Sequence, residues 1–212
     1  MQLIHPSTEI LAYPENLSLL ERAGRVCYQT EPTDNDPSAF IRRIVNNGHL
    51  SVIEHLSVTV RFIVDRGVSH ELVRHRLASF SQESTRYCNY TKQKFMGGIT
   101  FIIPPWVDVS PGVYTGVNNP NLGENYAWIV AMLDSEMRYK NLLENGWTPE
   151  QARTVLPNST KTELIMTANF REWLHIFNLR CTKQAHPQMR EIMLPLRKQF
   201  IDNWPSIFEG RS

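Results

Sequence analysis

Between Leu56 and Val64 the pattern alternates, with Leu56, Val58, Val60, Phe62 and Val64 on one side and a mostly polar set, Ser57, Thr59 and Arg61, on the other. A repeat of two is that of an extended strand with one buried face, so this stretch demands a sheet with a core packed against it. Thr160 to Ala168 reads as a second strand, and Thr100-Phe101-Ile102-Ile103, closed by Pro104-Pro105, as a short third.

Between the strands the repeat is helical. Leu19, Leu20, Ala23, Val26 and Cys27 follow Asn16 at helical spacing, and Phe40, Ile41, Ile44 and Val45 follow Asp36-Pro37. A long helix is predicted from Asn125 to Asn145, with Ile129, Val130, Leu133, Met137 and Leu142 facing inward. Thr148-Pro149-Glu150-Gln151 combines a capping threonine with proline at the first helical position and glutamine at the third. Asn169 to Cys181 buries Trp173, Leu174 and Phe177, and Gln188 to Trp204 buries Met189, Ile192, Met193, Leu196 and Phe200. Helices mixed with alternating strands predict an α+β class, with a β-sheet flanked by helices. No G-x-G-x-x-G segment follows a strand, which excludes a Rossmann crevice. A length of 212 residues suits one domain, 1–212.

A second feature lies just beyond the first strand. Arg74 to Tyr87 holds three arginines, a histidine, three serines, Gln82 and Glu83, more hydrogen-bonding capacity than a core element can satisfy internally. Arginine forks match phosphate and carboxylate oxygens, so a charged small ligand fits this stretch. Ser69 is placed to cap a helix that carries Leu72, Val73 and Leu77 inward and holds Arg74, His75 and Arg76 in its last turns. Consecutive helical residues stand about 100° apart. Either one large ligand is touched from several sides, or two sites share the segment. The Ser51-x-x-Glu54 spacing fits a capping box. His70 and His75 are not at zinc-binding spacing, and Arg74 stands where the second histidine would be needed, so no metal site is expected.

Composition narrows the partners. A net charge of +1 argues against nucleic acid, and no apolar run approaches the roughly 20 residues that span a bilayer. The opening Met1-Gln2-Leu3-Ile4-His5-Pro6 has neither the basic nor the apolar region of a signal peptide, so a cytoplasmic location is expected. Cys27, Cys88 and Cys181 lie far apart and odd in number, which predicts free, buried thiols.

Arg74-His75-Arg76, seven further residues, and then Ser84-Thr85-Arg86-Tyr87 resemble the motif of the flavin-dependent thymidylate synthases, the ThyX family. The resemblance extends through Gly48 to His55, Ala152 to Pro157 and Asn169 to Arg180, four blocks in order over about three-fifths of the chain. It implies a ThyX-like fold and the reductive methylation of dUMP to dTMP. The carbon donor would be 5,10-methylenetetrahydrofolate, and NADPH would be the reductant through bound FAD.

Position by position, the resemblance assigns Arg74, His75, Arg76, Asn169, Arg171 and His175 to the flavin, with His49, Ser51, Glu54 and Gln82 beside it. It assigns Glu71, Arg74, Gln82, Glu83, Ser84, Thr85, Arg86, Arg153 and Arg180 to dUMP. Arg180 would be the catalytic residue, holding the uracil edge and favouring the ionised N3. With no histidine–carboxylate pair to activate it, Ser84 is read as a binding residue.

On a helix, Arg180 points roughly the opposite way from Arg171. That divergence predicts sites shared between subunits, in a homotetramer. Two rival readings are a nucleotide- or RNA-binding module that uses the arginine clusters, and a thymidylate synthase that attacks through Cys88 or Cys181.

Overall fold

The computed structural model describes residues 1–32, 36–92, 98–116, 123 and 125–211. In chain order the elements are β1 (Gln2–Ile4), β2 (Ser7–Ala12), α1 (Ser18–Val26), α2 (Ser38–Asn46), β3 (Ser57–Asp65), α3 (Arg66–Leu72) and β4 (Ser79–Gln82). They continue as β5 (Thr100–Ile102), β6 (Gly112–Val113), α4 (Tyr126–Glu144), α5 (Pro149–Ala152), β7 (Lys161–Asn169), α6 (Phe170–Arg180), α7 (Pro187–Asn203) and α8 (Pro205–Phe208). Short 3₁₀ turns occupy Leu50–His55 and Arg153–Val155. One sheet has the order β5-β1-β6 and the other β2-β3-β7-β4, so the class is mixed α+β, as the patterns predict. Among the described residues no helix is long and apolar enough to cross a membrane. The predicted loop from Ser110 carries β6, and its residues 117–122 lie outside those described.

The chain forms two compact units, one of Met1–Ser7, Phe62–Leu72 and Ser81–Leu164, the other of Thr8–Arg61, Val73–Phe80 and Ile165–Ser212. In the first unit Leu3, Ile99, Phe101 and Ile103 pack against Ile129, Met132 and Tyr139 of α4. The inward face of α4 is therefore turned from the predicted one: Ile129 is buried, but Met137 is exposed. The reason is polar. Glu136 turns inward to accept the N–H of Ile99 at 2.8 Å, and Tyr139 packs beside Tyr90 at 5.8 Å between ring centroids. A pattern of apolar residues alone cannot register either side chain. The capping box that starts α5 is present, with Thr148 and Gln151 each bonded to the other's backbone.

α3 differs from its predicted extent. Asp65, the last residue of β3, accepts the N–H of Val68 at 2.8 Å and so starts the helix directly after the strand. Ser69 lies within the helix, its hydroxyl donating to the Arg66 carbonyl at 2.9 Å. α3 ends at Leu72, and Arg74-His75-Arg76 occupy turns rather than a helix.

In the second unit the aromatic rings of Trp173, Phe177, Phe200, Trp204 and Phe208 build the core, with α6 and α7 supplying most of it. All five residues predicted to face inward from α7 are buried. In α1, by contrast, Leu19 and Val26 are exposed, and Leu20 and Gly24 face inward. A Cβ on Gly24 would stand 2.8 Å from the Phe40 ring, so the glycine marks the close approach of α1 to α2. Ser51-x-x-Glu54 forms no capping box, and Cys27 is exposed while Cys88 and Cys181 are partly exposed, so the predicted buried thiols are not found.

Candidate functional site

α6 begins where the Asn169 side chain accepts the N–H of Glu172 at 2.9 Å. Its Asn169, Arg171, Glu172, His175 and Arg180 line a cavity of about 710 Å³ in the second unit. Glu54 and the turn residues Arg74, His75 and Arg76 complete the polar lining. Leaving a helix frees adjacent side chains from the 100° spacing, and Arg74, His75 and Arg76 therefore face one space. Arg180 joins them although it lies half a turn from Arg171: its Nε donates to Nε2 of His75 at 3.0 Å. Both arginines line one cavity, so the divergence taken from the helical wheel does not hold, nor does the argument for shared subunit sites built on it.

Four guanidinium groups face two carboxylates in this cavity, a surplus that suits an anion. Arg171 pairs with Glu54, but both side chains are exposed, so the pair contributes about 0–1 kcal/mol and a ligand can displace it. Among the described residues Arg74 and Arg76 make no ion pair. The ligating atoms of His75, Glu172 and His175 lie within 4.8 Å of one another, close enough for a cation, yet the four arginines oppose one.

His75 is buried. Burial first, then the charges of Arg180 and His175, lower its pKa from 6.5 to about 4. Burial raises the Glu172 carboxyl, against an opposing pull from His175. Folding favours neutral His75, a stabilisation fully present above about pH 6.5 and lost as the pH falls through about 4. Glu172 acts in the opposite sense, its contribution growing as the pH falls. Urea midpoints measured at several pH values should drop more steeply between pH 6.5 and 4 for the unsubstituted protein than for His75→Asn.

The first unit holds a second cavity of about 200 Å³, where Arg66 and His70 of α3 meet Thr85, Arg153, Asn158 and Thr160. Arg153 donates to the Thr85 hydroxyl at 3.1 Å. Two arginines, a histidine and hydroxyl groups in so small a space suit a phosphate-sized anion. The sequence reading missed Arg66 and His70. The signal available was their four-residue spacing on one face of α3.

The remaining assigned residues line neither cavity. Gln82 donates to Ser69 at 2.9 Å and Thr162 at 3.2 Å, and Glu83 bonds Lys161 at 2.8 Å and the Tyr90 hydroxyl at 3.0 Å. Burial, with the charge of Glu83, raises the Tyr90 phenol well above its ordinary value. Ser84 accepts the N–H of Arg86 at 3.3 Å, and the Arg86 guanidinium lies over the Tyr87 ring. Glu71 is partly buried in α3, and His49 and Ser51 are exposed.

Residues 9–206 match the family model described as thymidylate synthase complementing protein. The flavin-dependent thymidylate synthase of Mycobacteroides abscessus is 31% identical over 200 residues, covering 90% of this chain and 78% of the relative. That of Geobacter sulfurreducens is 32% identical over 204 residues, covering 92% and 82%. In structure the chain is similar to the UMP/dUMP methylase PolB from Streptomyces cacaoi, solved with 5-Br dUMP bound. The TM-score is 0.79 at 25% identity, over 99% of this chain and 96% of that one.

Proposed function

Because the chain belongs to the flavin-dependent thymidylate synthase (ThyX) family, we propose that it converts dUMP to dTMP, with 5,10-methylenetetrahydrofolate as carbon donor and NADPH as reductant. The observation that carries this reading is the arginine-rich cavity built on α6 and the Arg74-His75-Arg76 turn. Its volume lies within the range of cofactor sites, and its four guanidiniums match a diphosphate, so the residues present fit FAD. When bound, FAD supplies the redox chemistry that no side chain here can perform.

The protein's own contribution is binding and charge. Arg74, Arg76, Asn169, Arg171 and His175 hold the cofactor, with Glu54 exchanging its arginine partner for it. Arg153 and Thr85, joined by Arg66 and His70, hold the dUMP phosphate. Arg180 faces the pyrimidine edge, where a fixed cation favours the ionised N3. Glu71, Gln82, Glu83, Ser84 and Arg86 surround the nucleotide on the family pattern, and His49, Ser51 and Gln82 border the flavin. The resemblance also supports one catalytic domain over 1–212, a cytoplasmic location and a homotetramer with sites shared between subunits.

The test is an assay of purified protein for dTMP from dUMP, with methylenetetrahydrofolate, NADPH and FAD supplied. A yellow protein that forms dTMP only when all four are present is expected. Flavin-loaded protein that forms no dTMP would contradict the reading.

A further inference from the structure

We propose that Glu172 is a positioning residue that sets the tautomer of His75 and, through it, the placement of the Arg180 guanidinium. The proposal rests on the reading of Arg180 as the group that faces the pyrimidine. Glu172 is the third residue of α6, where unpaired backbone N–H groups favour a negative charge, and both it and His75 are buried. Its Oε1 lies 3.4 Å from Nδ1 of His75.

The other ring nitrogen decides the matter. Nε2 accepts the Nε–H of Arg180 at 3.0 Å and therefore carries no proton. A neutral imidazole has one N–H, which must then sit on Nδ1, facing the carboxylate. A carboxylate at that distance favours an N–H over a lone pair, so Glu172 selects the tautomer that can receive Arg180. In the opposite tautomer two N–H donors would meet head to head, and the Arg180 guanidinium would be expelled from its position. The ring of His175 packs edge-on to His75 at 6.0 Å between centroids. A histidine in contact with a buried carboxylate thus acts as a rigid spacer against which the Nε of Arg180, the last residue of a helix, is set.

The experiment follows the imidazole of His75 by ¹⁵N spectroscopy in unsubstituted protein and in Glu172→Gln, together with turnover, FAD affinity and melting temperature. The unsubstituted protein should show a protonated Nδ1 and a bare Nε2. In Glu172→Gln, whose amide can donate as well as accept, the two tautomers should mix, and kcat should fall on the order of a hundredfold while FAD remains bound. Glu172→Asp, which keeps the charge, should retain the tautomer, and it provides the same readouts if the glutamine variant does not fold. An unchanged tautomer in Glu172→Gln overturns the proposal whether or not turnover falls, as does mixing with full turnover. If the unsubstituted protein forms no dTMP, the catalytic reading fails by itself. The spectra then decide the relay alone, and a bare Nδ1 in the unsubstituted protein would overturn it.

Discussion

Arg180→Ala should reduce dTMP formation by roughly a hundredfold or more, the loss typical when one preorganised charged donor is taken from a developing anion. The expectation follows from where the side chain stands: its guanidinium lines the same cavity as Arg74, Arg171 and His175, and its Nε is fixed on His75. Two further effects accompany the loss. The charge that helps depress His75 disappears, so that ring should titrate at a higher pH. FAD affinity should also decline, because Arg180 shares a cavity with the residues assigned to the flavin rather than occupying a separate face. Arg180→Lys should restore little, since an ammonium cannot bond His75 through a side-chain Nε–H and also present a planar fork. Were Arg180 only a cation at a helix C-terminus, alanine would cost about 0.3–1 kcal/mol of stability and leave activity nearly intact. Single-turnover dTMP formation and melting temperature on the same sample separate the two outcomes.

Trp173→Ala should cost about 3–5 kcal/mol, a large part of the roughly 5–15 kcal/mol that holds a domain folded. Trp173 is fully buried, stacks on Phe177 at 5.6 Å between centroids and meets Phe200 at 5.0 Å. Its Nε1 donates to the Val58 carbonyl of β3 at 3.1 Å, so the same side chain ties α6 to a strand. Truncation removes the ring, leaves a cavity among aromatic neighbours and strands a buried acceptor. Urea denaturation should show the loss as a lowered midpoint with FAD absent. A change under about 1 kcal/mol would mean that the aromatic cluster does not carry the stability of this unit.

Much of the frame was legible because it is written in short-range chemistry. β3 follows from an alternation that only Ile63 breaks, α5 from its proline and capping box, α2 from the apolar spacing after Asp36-Pro37, and the buried face of α7 from its spacing. What escaped was decided by side chains that meet across the chain. α3 starts early because Asp65 caps it directly after a strand, it ends at Leu72, and that ending is why three adjacent basic residues share one cavity. α4 turned away from its apolar stripe because Glu136 found a backbone N–H to accept. Glu172 carried no sequence signal at all, since a glutamate in the first turn of a helix is ordinary; only the folded chain brings His75 to it. Arg74, His75, Arg171 and Arg180 line one cavity, whereas a helical wheel set Arg180 apart from Arg171.

Paired titrations of FAD and dUMP into Arg171→Ala and Arg153→Ala ask whether the two cavities do different work. Removing one charge-assisted contact costs about 1.5–3 kcal/mol, or roughly tenfold to a hundredfold in affinity. Arg171→Ala should weaken FAD by that factor, and Arg153→Ala should weaken dUMP by the same factor while FAD binds as in the unsubstituted protein. Loss of FAD binding in Arg153→Ala, or full FAD affinity in Arg171→Ala, would contradict the placement of the flavin in the cavity built on α6.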